Sequence, residues 1–97
     1  NMISIKQVRK AEELLGNIYN GFITAVQSYG FFVVIDGLNL EGLVHVSTLN
    51  NDWYEYRSRQ NLLIGRKSKK SYKIGDKIEI KIIKVDILKY QIDLELT

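Results

Sequence analysis

The feature that most constrains the fold is an alternation of apolar and charged residues near the end of the chain. From Lys77 to Ile82 every charged residue is followed by an isoleucine, and from Ile92 to Leu96 aliphatic residues alternate with acids. Because successive side chains of a β-strand point to opposite faces, this period of two predicts strands with one buried and one solvated face. The alternation changes phase at residues 83–85, which predicts a β-bulge or strong coiling.

Three earlier segments also have the composition of β-strands. Residues 18–26 and 31–35 are rich in β-branched and aromatic residues, and residues 42–46 form a shorter apolar run. Turn-forming residues separate the first two strands at 28–30 and close the second at 36–37. Five short strands without a second helical layer indicate a small all-β barrel or sandwich. Closure into a barrel would remove exposed edges from strands this apolar.

Two segments lie outside this pattern of five strands. Residues 4–15 carry a thin apolar stripe at helical spacing, so residues 1–15 are interpreted as a short helix or connector and residues 16–97 as the domain. The connection over residues 49–73 exceeds the ~12–15 residues of ordinary loops, so we expect it to be functional or to contain structure of its own. Within it, residues 57–64 are expected to form a helical turn or two.

Composition excludes several classes of protein. A length of 97 residues supports one domain. The absence of cysteine excludes disulfides and thiolate metal sites, and one histidine leaves a structural zinc site short of ligands. No apolar run approaches the ~20 residues of a membrane-spanning helix, and no signal-peptide pattern opens the chain. We therefore expect a cytoplasmic domain without a membrane partner, monomeric in isolation.

Positive charge is concentrated in one stretch of the chain. Four acids and no bases lie between Asn17 and Tyr56, whereas seven bases and no acids lie between Arg57 and Lys73. Such a patch attracts a polyanion, and the aromatic residues beside it favour a nucleic acid. The alternative is a solvated loop that its charge keeps soluble. The candidate phosphate-binding residues are Arg57, Arg59, Arg66, Lys67, Lys69 and Lys70.

Three further residues have side chains suited to contact nucleotide bases. If the alternate residues of the second strand fill the barrel, Phe32 points outward, where its ring could stack on a base. The alternative is that Phe32 packs beneath the helix or the long connection. Tyr29, beside the turn, offers a second platform. His45 ends the third strand, where an imidazole can stack on a base or donate to a phosphate or a 2′-hydroxyl.

No pattern indicates catalysis. The acids lie on turns and outward strand positions without a motif that groups them, whereas a two-metal nuclease needs converging carboxylates. His45 has no evident second acid–base residue, and the chain contains no phosphate-cradling glycine motif. We therefore expect no catalytic residue, metal or cofactor in this chain.

Five motifs in order resemble the S1-type RNA-binding domain: Gly21–Val26, Tyr29–Val33, Glu41–Ser47, Gly75–Ile78 and Val85–Asp86. The resemblance implies a five-stranded OB-fold barrel with a long loop between strands 3 and 4. It also implies RNA-facing positions at Tyr29, Phe32, His45 and Asp86, with a basic residue after Asp86 that we assign to Lys89. Asp86 could equally be a turn residue that bonds local backbone amides.

A narrower resemblance is carried by Asp52–Arg57, Leu63–Arg66, Tyr72–Asp76 and Gln91–Leu96, which look like the carboxy-terminal S1 domain of ribonuclease II and R exoribonucleases. Residues 53–61 look closest to the cyanobacterial branch. In that family a separate catalytic domain, with aspartates and magnesium, degrades RNA from its 3′ end. The resemblance implies a substrate-holding module for single-stranded RNA, joined to the catalytic domain of a parent hydrolase. The alternative is a protein-interaction module that docks through residues 53–56 and the amino-terminal helix.

Overall fold

The computed structural model of the protein describes residues 13–38, 40–49, 52–86, 88–89 and 91–97. Its strands are β1 (Ile18–Gln27), β2 (Gly30–Ile35), β3 (Leu40–His45), β4 (Tyr54–Arg57), β5 (Leu62–Gly65), β6 (Ser71–Lys73), β7 (Lys77–Asp86) and β8 (Gln91–Leu96). One turn of 3-10 helix, Val46–Thr48, follows β3. Most of the helix predicted for residues 4–15 lies outside the described residues, and residues 13–16 form a turn.

Five of the strands close into a barrel in the order β1-β2-β3-β8-β7. Neighbours are antiparallel except β3 and β8, which are parallel. The all-β, five-stranded barrel predicted from the sequence is thus confirmed. The bulge predicted at residues 83–85 is also confirmed, because the register of β7 against β8 shifts between Ile82 and Lys84. A second shift lies in β1 between Ile23 and Ala25.

The interior of the barrel is filled by alternate residues of each strand. On β2, Phe31, Val33 and Ile35 are fully buried, while Phe32 and Val34 on the opposite face are half-buried. Ile80 and Ile82 of β7, and Ile92 and Leu94 of β8, complete this layer of the core. Full burial of one such side chain contributes about 1.5–3 kcal/mol, so the inward residues fix which residues face outward.

The long connection between β3 and β7 contains a three-stranded antiparallel sheet in the order β4-β5-β6. The helical turn predicted for residues 57–64 is therefore wrong, because those residues belong to the β4–β5 hairpin. Tyr56 pairs with Leu63, which in turn pairs with Tyr72, so the sheet has one apolar face. The hairpin turn places Asn61 at φ 55°, a left-handed conformation that asparagine tolerates.

This small sheet is packed against the barrel. Leu63 and Tyr72 are buried, and the Tyr72 ring stacks on Phe31 of the barrel core with centroids 5.0 Å apart. Backbone hydrogen bonds tie the following turn to β1, since the Gly75 amide donates to the Ile23 carbonyl at 2.8 Å. The small sheet is therefore a fixed part of the domain, and the residues on its turns have defined positions relative to the barrel.

Candidate nucleic-acid interface

Tyr29, Phe32 and His45 lie together on the barrel surface, and we call them the aromatic cluster. The Tyr29 and Phe32 ring centroids are 6.3 Å apart with planes at 86°. The Tyr29 and His45 centroids are 6.4 Å apart with planes at 44°. Both distances lie within the 4.5–7 Å range of interacting aromatic rings. The three residues that sequence reasoning selected as base contacts thus form one surface.

Parts of all three rings are open to solvent. Tyr29 is 44% exposed, His45 is exposed and Phe32 is half-buried. The Phe32 side chain therefore lies outside the core, with part of its surface exposed to solvent. The backbone of Tyr29 is fixed to the residue that follows β3, because the Val46 amide donates to the Tyr29 carbonyl at 2.8 Å. The Ser47 hydroxyl also lies 3.3 Å from Nδ1 of His45, which limits rotation of the imidazole.

Gly30 allows the close approach of β2 and β3 that brings the cluster together. It pairs with His45 in the β2–β3 register, and a Cβ atom on Gly30 would lie 2.2 Å from the Val44 carbonyl oxygen. Its φ of +152° also lies in a region that side-chain-bearing residues rarely adopt. A glycine here therefore lets Tyr29, in the preceding turn, sit beside the end of β3.

Lys84 is an exposed base of the barrel surface that was not among the candidates selected from the sequence. Strand pairing places Phe32 beside Leu43, Leu43 beside Asp93, and Asp93 beside Lys84. Lys84 is exposed on this row. The phase change at residues 83–85 could have indicated its position, because a bulge there changes which residues of β7 face outward. Acids also occupy outward positions on β3 and β8, between Phe32 and the lysines of β7. These acids are Glu41, Asp93 and Glu95.

Asp86 and Lys89 lie at the β7–β8 hairpin. Oδ1 of Asp86 accepts a hydrogen bond from the Lys89 amide at 3.1 Å, so Asp86 acts as a turn residue that bonds local backbone. Contact of these two residues with RNA stays a prediction.

The basic residues of the long connection are divided into two groups. Arg57 and Arg59 lie at the β4–β5 hairpin, whereas residues 66–70 form the turn between β5 and β6, which we call the basic turn. Tyr54 pairs with Gly65 and Arg57 with Leu62, so the two groups lie at opposite ends of the small sheet. Nε of Arg57 also lies 4.0 Å from Glu55, a weak pair because both side chains are about half exposed.

Asp52 holds the basic turn in place. Its Oδ2 accepts hydrogen bonds from the amides of Ser68 at 2.8 Å and Lys67 at 3.0 Å, and its Oδ1 accepts one from Trp53 at 2.7 Å. These bonds, chiefly the one from the Ser68 backbone, lower the pKa of Asp52 to about 2. The carboxylate is therefore ionised at neutral pH. Gly65 is needed here, since a Cβ atom would lie 2.6 Å from Oδ2 of Asp52.

A groove lies between the basic turn and residues that are next to the aromatic cluster in the chain. It has a volume of about 620 Å³, within the ~300–1,000 Å³ typical of ligand sites. Its lining includes Ser28, which precedes Tyr29, and Ser47, which contacts His45. It also includes Trp53, which is 78% exposed, and Lys67. The complete lining is Ser28, Val46, Ser47, Asp52, Trp53, Tyr54 and Lys67.

The chemistry of this surface is that of binding. Flat rings present π-faces to a base, and the amines and guanidinium group of the basic turn present positive charge to phosphate. Over the described ranges, no three His, Cys, Asp or Glu side chains converge in a way that could hold a metal ion. The same part of the chain contains no helix long and apolar enough to cross a bilayer.

Comparison with known sequences gives one family. Residues 14–97 match the model of the S1 RNA binding domain. The acetazolamide conferring resistance protein zam of Synechocystis sp. is 50% identical over 94 residues, covering 97% of this chain and 12% of that protein. Ribonuclease R of Escherichia coli strain K12 is 39% identical over 82 residues, covering 84% of this chain and 10% of that enzyme. The chain thus spans about a tenth of the length of these relatives.

Comparison with solved structures agrees. RNase R of Mycoplasma genitalium in complex with ribose methylated single-stranded RNA matches with a TM-score of 0.88 at 32% identity, covering 93% of this chain and 14% of that one. The apo form of the same enzyme matches with a TM-score of 0.85, over 95% of this chain.

Proposed function

The chain belongs to the S1 RNA-binding domain family, and from this premise we propose that it binds single-stranded RNA through Tyr29, Phe32 and His45. The observation that carries the proposal is the grouping of three partly exposed rings beside a groove that leads to the basic turn. Each base stacked on a ring would contribute about 1–3 kcal/mol. Sequence preference would be weak, because every base has a π-face.

The basic residues would supply the part of the affinity that does not depend on sequence. Lys67 faces the groove, and the neighbouring charges at Arg66, Lys69 and Lys70 are exposed. They would neutralise phosphates and raise the association rate. Arg57 and Arg59 at the far hairpin, and Asp86 and Lys89 at the β7–β8 turn, would contact RNA only where a longer strand extends beyond the groove.

The wider role that we propose is that of the carboxy-terminal substrate-holding module of a 3′-to-5′ exoribonuclease. Its support is the 39% identity to ribonuclease R of Escherichia coli and the likeness to RNase R in complex with single-stranded RNA. The domain would act without a cofactor of its own, while magnesium would belong to the catalytic domain of the parent chain. We place this parent hydrolase in the cytoplasm and the isolated domain in the monomeric state.

A protein-interaction module is the second candidate, because Trp53 is 78% exposed on the small sheet. Exposed aromatic side chains of this size are enriched at protein interfaces. Binding of RNA and binding of protein differ in their dependence on the aromatic cluster. RNA contact requires Phe32 and His45, whereas docking through the small sheet does not.

The test is a fluorescence anisotropy titration of a labelled ten-nucleotide oligouridylate with the purified domain. We expect saturable binding that duplex RNA of the same length competes for poorly, since paired bases cannot stack on the rings. The double variant Phe32→Ala/His45→Ala should lose most of this affinity. Binding that is absent in the wild type, or unchanged in the double variant, contradicts the proposal and favours the interaction module.

A further inference from the structure

We propose that Trp53 and the groove beside it bind a further base of the same RNA strand, with Lys67 at the adjoining phosphate. This inference rests on the proposed function and extends its binding surface from the barrel to the small sheet. The ligand class is an unpaired nucleotide adjacent to those stacked on Tyr29, Phe32 and His45. The groove between the two parts of the domain is the physical link.

The first support is the way Trp53 is held. Its amide donates to Oδ1 of Asp52 at 2.7 Å, and its carbonyl accepts from the Arg66 amide at 2.8 Å. The backbone is therefore fixed on both sides while the side chain is 78% exposed. Because the backbone is fixed, only the side-chain torsions of the indole have to be ordered when a base stacks on it, which lowers the entropic cost of binding. An indole this exposed beside a groove offers a flat face to a base.

The second support is continuity with the aromatic cluster. Ser28 lines the groove and directly precedes Tyr29. Ser47 lines it too, and its hydroxyl lies 3.3 Å from the His45 ring. The groove therefore begins at residues next to Tyr29 and His45, and a strand that stacks on those two rings would reach it within about one nucleotide. Trp53 lines the same groove.

The third support is the charge on either side of the cluster. Toward β3 and β8, the outward positions are occupied by Glu41, Asp93 and Glu95, which repel phosphate. Toward the groove, the described lining contains one base, Lys67, and one acid, Asp52, and the basic turn adds Arg66, Lys69 and Lys70. A phosphodiester chain is therefore favoured to leave the cluster toward Trp53.

Asp52 is the one acid among the described residues of the groove lining, and its carboxylate oxygens are turned toward backbone amides. Its carboxylate is engaged by the amides of Trp53, Lys67 and Ser68. These bonds stabilise its charge and place Lys67 in the groove lining, and the four bases of the basic turn outweigh that single negative charge. Asp52 is thus a positioning residue for both the indole and the lysine.

The experiment uses the fact that Trp53 is the single tryptophan of the sequence, so emission excited beyond the tyrosine absorption band reports on it alone. A ten-nucleotide oligouridylate should quench and shift this emission in a saturable manner, while a trinucleotide that covers only the aromatic cluster should change it little. Trp53→Ala should weaken binding of the ten-nucleotide RNA about fivefold or more and leave the trinucleotide unaffected. Trp53→Phe should retain most of the affinity.

Phe32→Ala separates failure of this inference from failure of the proposed function. If Phe32→Ala weakens binding of both oligonucleotides while Trp53→Ala changes neither, the groove is not part of the RNA path and the inference is overturned alone. If the wild type binds neither oligonucleotide, both claims fail. The inference would also be overturned, in favour of protein docking, if Trp53 emission does not change with RNA but changes when the catalytic domain of a ribonuclease R is added.

Discussion

The rings of Tyr29 and Phe32 meet nearly at right angles, with centroids 6.3 Å apart. Edge-to-face pairs of this kind contribute about 0.5–1.5 kcal/mol beyond their buried area. The contact uses only part of the Phe32 surface, because this side chain remains half-buried rather than fully enclosed. Tyr29 therefore fixes the orientation of Phe32 without covering it, and an RNA base meets a ring that is already in position.

Phe32→Ala should lower the affinity for single-stranded RNA by tenfold or more without unfolding the barrel. The physical reason is the loss of one stacking platform, worth about 1–3 kcal/mol, from an outward position that the core does not require. The measurement is an anisotropy titration with oligouridylate, accompanied by a thermal melt.

Phe22→Ala is the matched control. Phe22 is 39% exposed on β1, where it pairs with Val34 and Lys77 and is not one of the three rings of the aromatic cluster. The Phe22→Ala change removes the same number of atoms from an outward phenylalanine. It should leave RNA affinity within about twofold of wild type, which is less than the loss of one stacked base would cause. Equal losses in the two variants would mean that general surface hydrophobicity, not a defined platform, binds RNA.

Gly30→Ala should destabilise the domain by about 2–4 kcal/mol. The added methyl group would lie 2.2 Å from the Val44 carbonyl oxygen, and backbone cannot move aside as a flexible side chain can. Gly37→Ala, with φ +80° but no neighbour within 4 Å, should cost only the ~1–2 kcal/mol of a left-handed alanine. Urea denaturation of both variants measures the difference, and similar costs would contradict the close strand approach at Gly30.

Asp52→Asn should loosen the basic turn and lower stability in a pH-dependent way. The pKa of Asp52 falls from its ordinary 3.8 to about 2 in the folded state, so its ionised form stabilises folding above pH 4. That contribution is lost as pH falls from about 4 toward 2. The stability difference between wild type and variant should be largest at neutral pH and shrink across that window. A difference independent of pH would contradict the carboxylate's role.

Arg66→Gln/Lys67→Gln should reduce the salt dependence of RNA binding. If the two side chains each neutralise one phosphate, the slope of log affinity against log salt should become shallower by about 1.4, since each contact contributes ~0.7. Lys73→Gln/Lys77→Gln carries the same charge change, at the turn before β7. It should leave the slope nearly unchanged, and an equal effect would mean that net charge alone governs binding.

The barrel and the aromatic cluster were predictable because they depend on local patterns. Alternation assigns the inward and outward residues of β2, β7 and β8, and hence the outward position of Phe32. A turn at residues 28–30 places Tyr29 at the end of the barrel. The cluster then follows from the pairing of Gly30 with His45, which the sequence alone only suggests.

The small sheet and its charges were not predictable in the same way. Its strands contain only three or four residues, too few for periodicity to distinguish them from a helical turn. The division of the basic residues between two turns depends on the β4–β5 hairpin, which was missed. The hydrogen bonds from Lys67 and Ser68 to Asp52 join residues 15 and 16 positions apart, so no local motif indicates them.

The most direct test of the account is an NMR spectrum of the domain saturated with a short oligouridylate. We expect intermolecular nuclear Overhauser contacts between uracil protons and the ring protons of Tyr29, Phe32 and His45. Uracil contacts confined to other surfaces, with these three rings unperturbed at saturation, would contradict it.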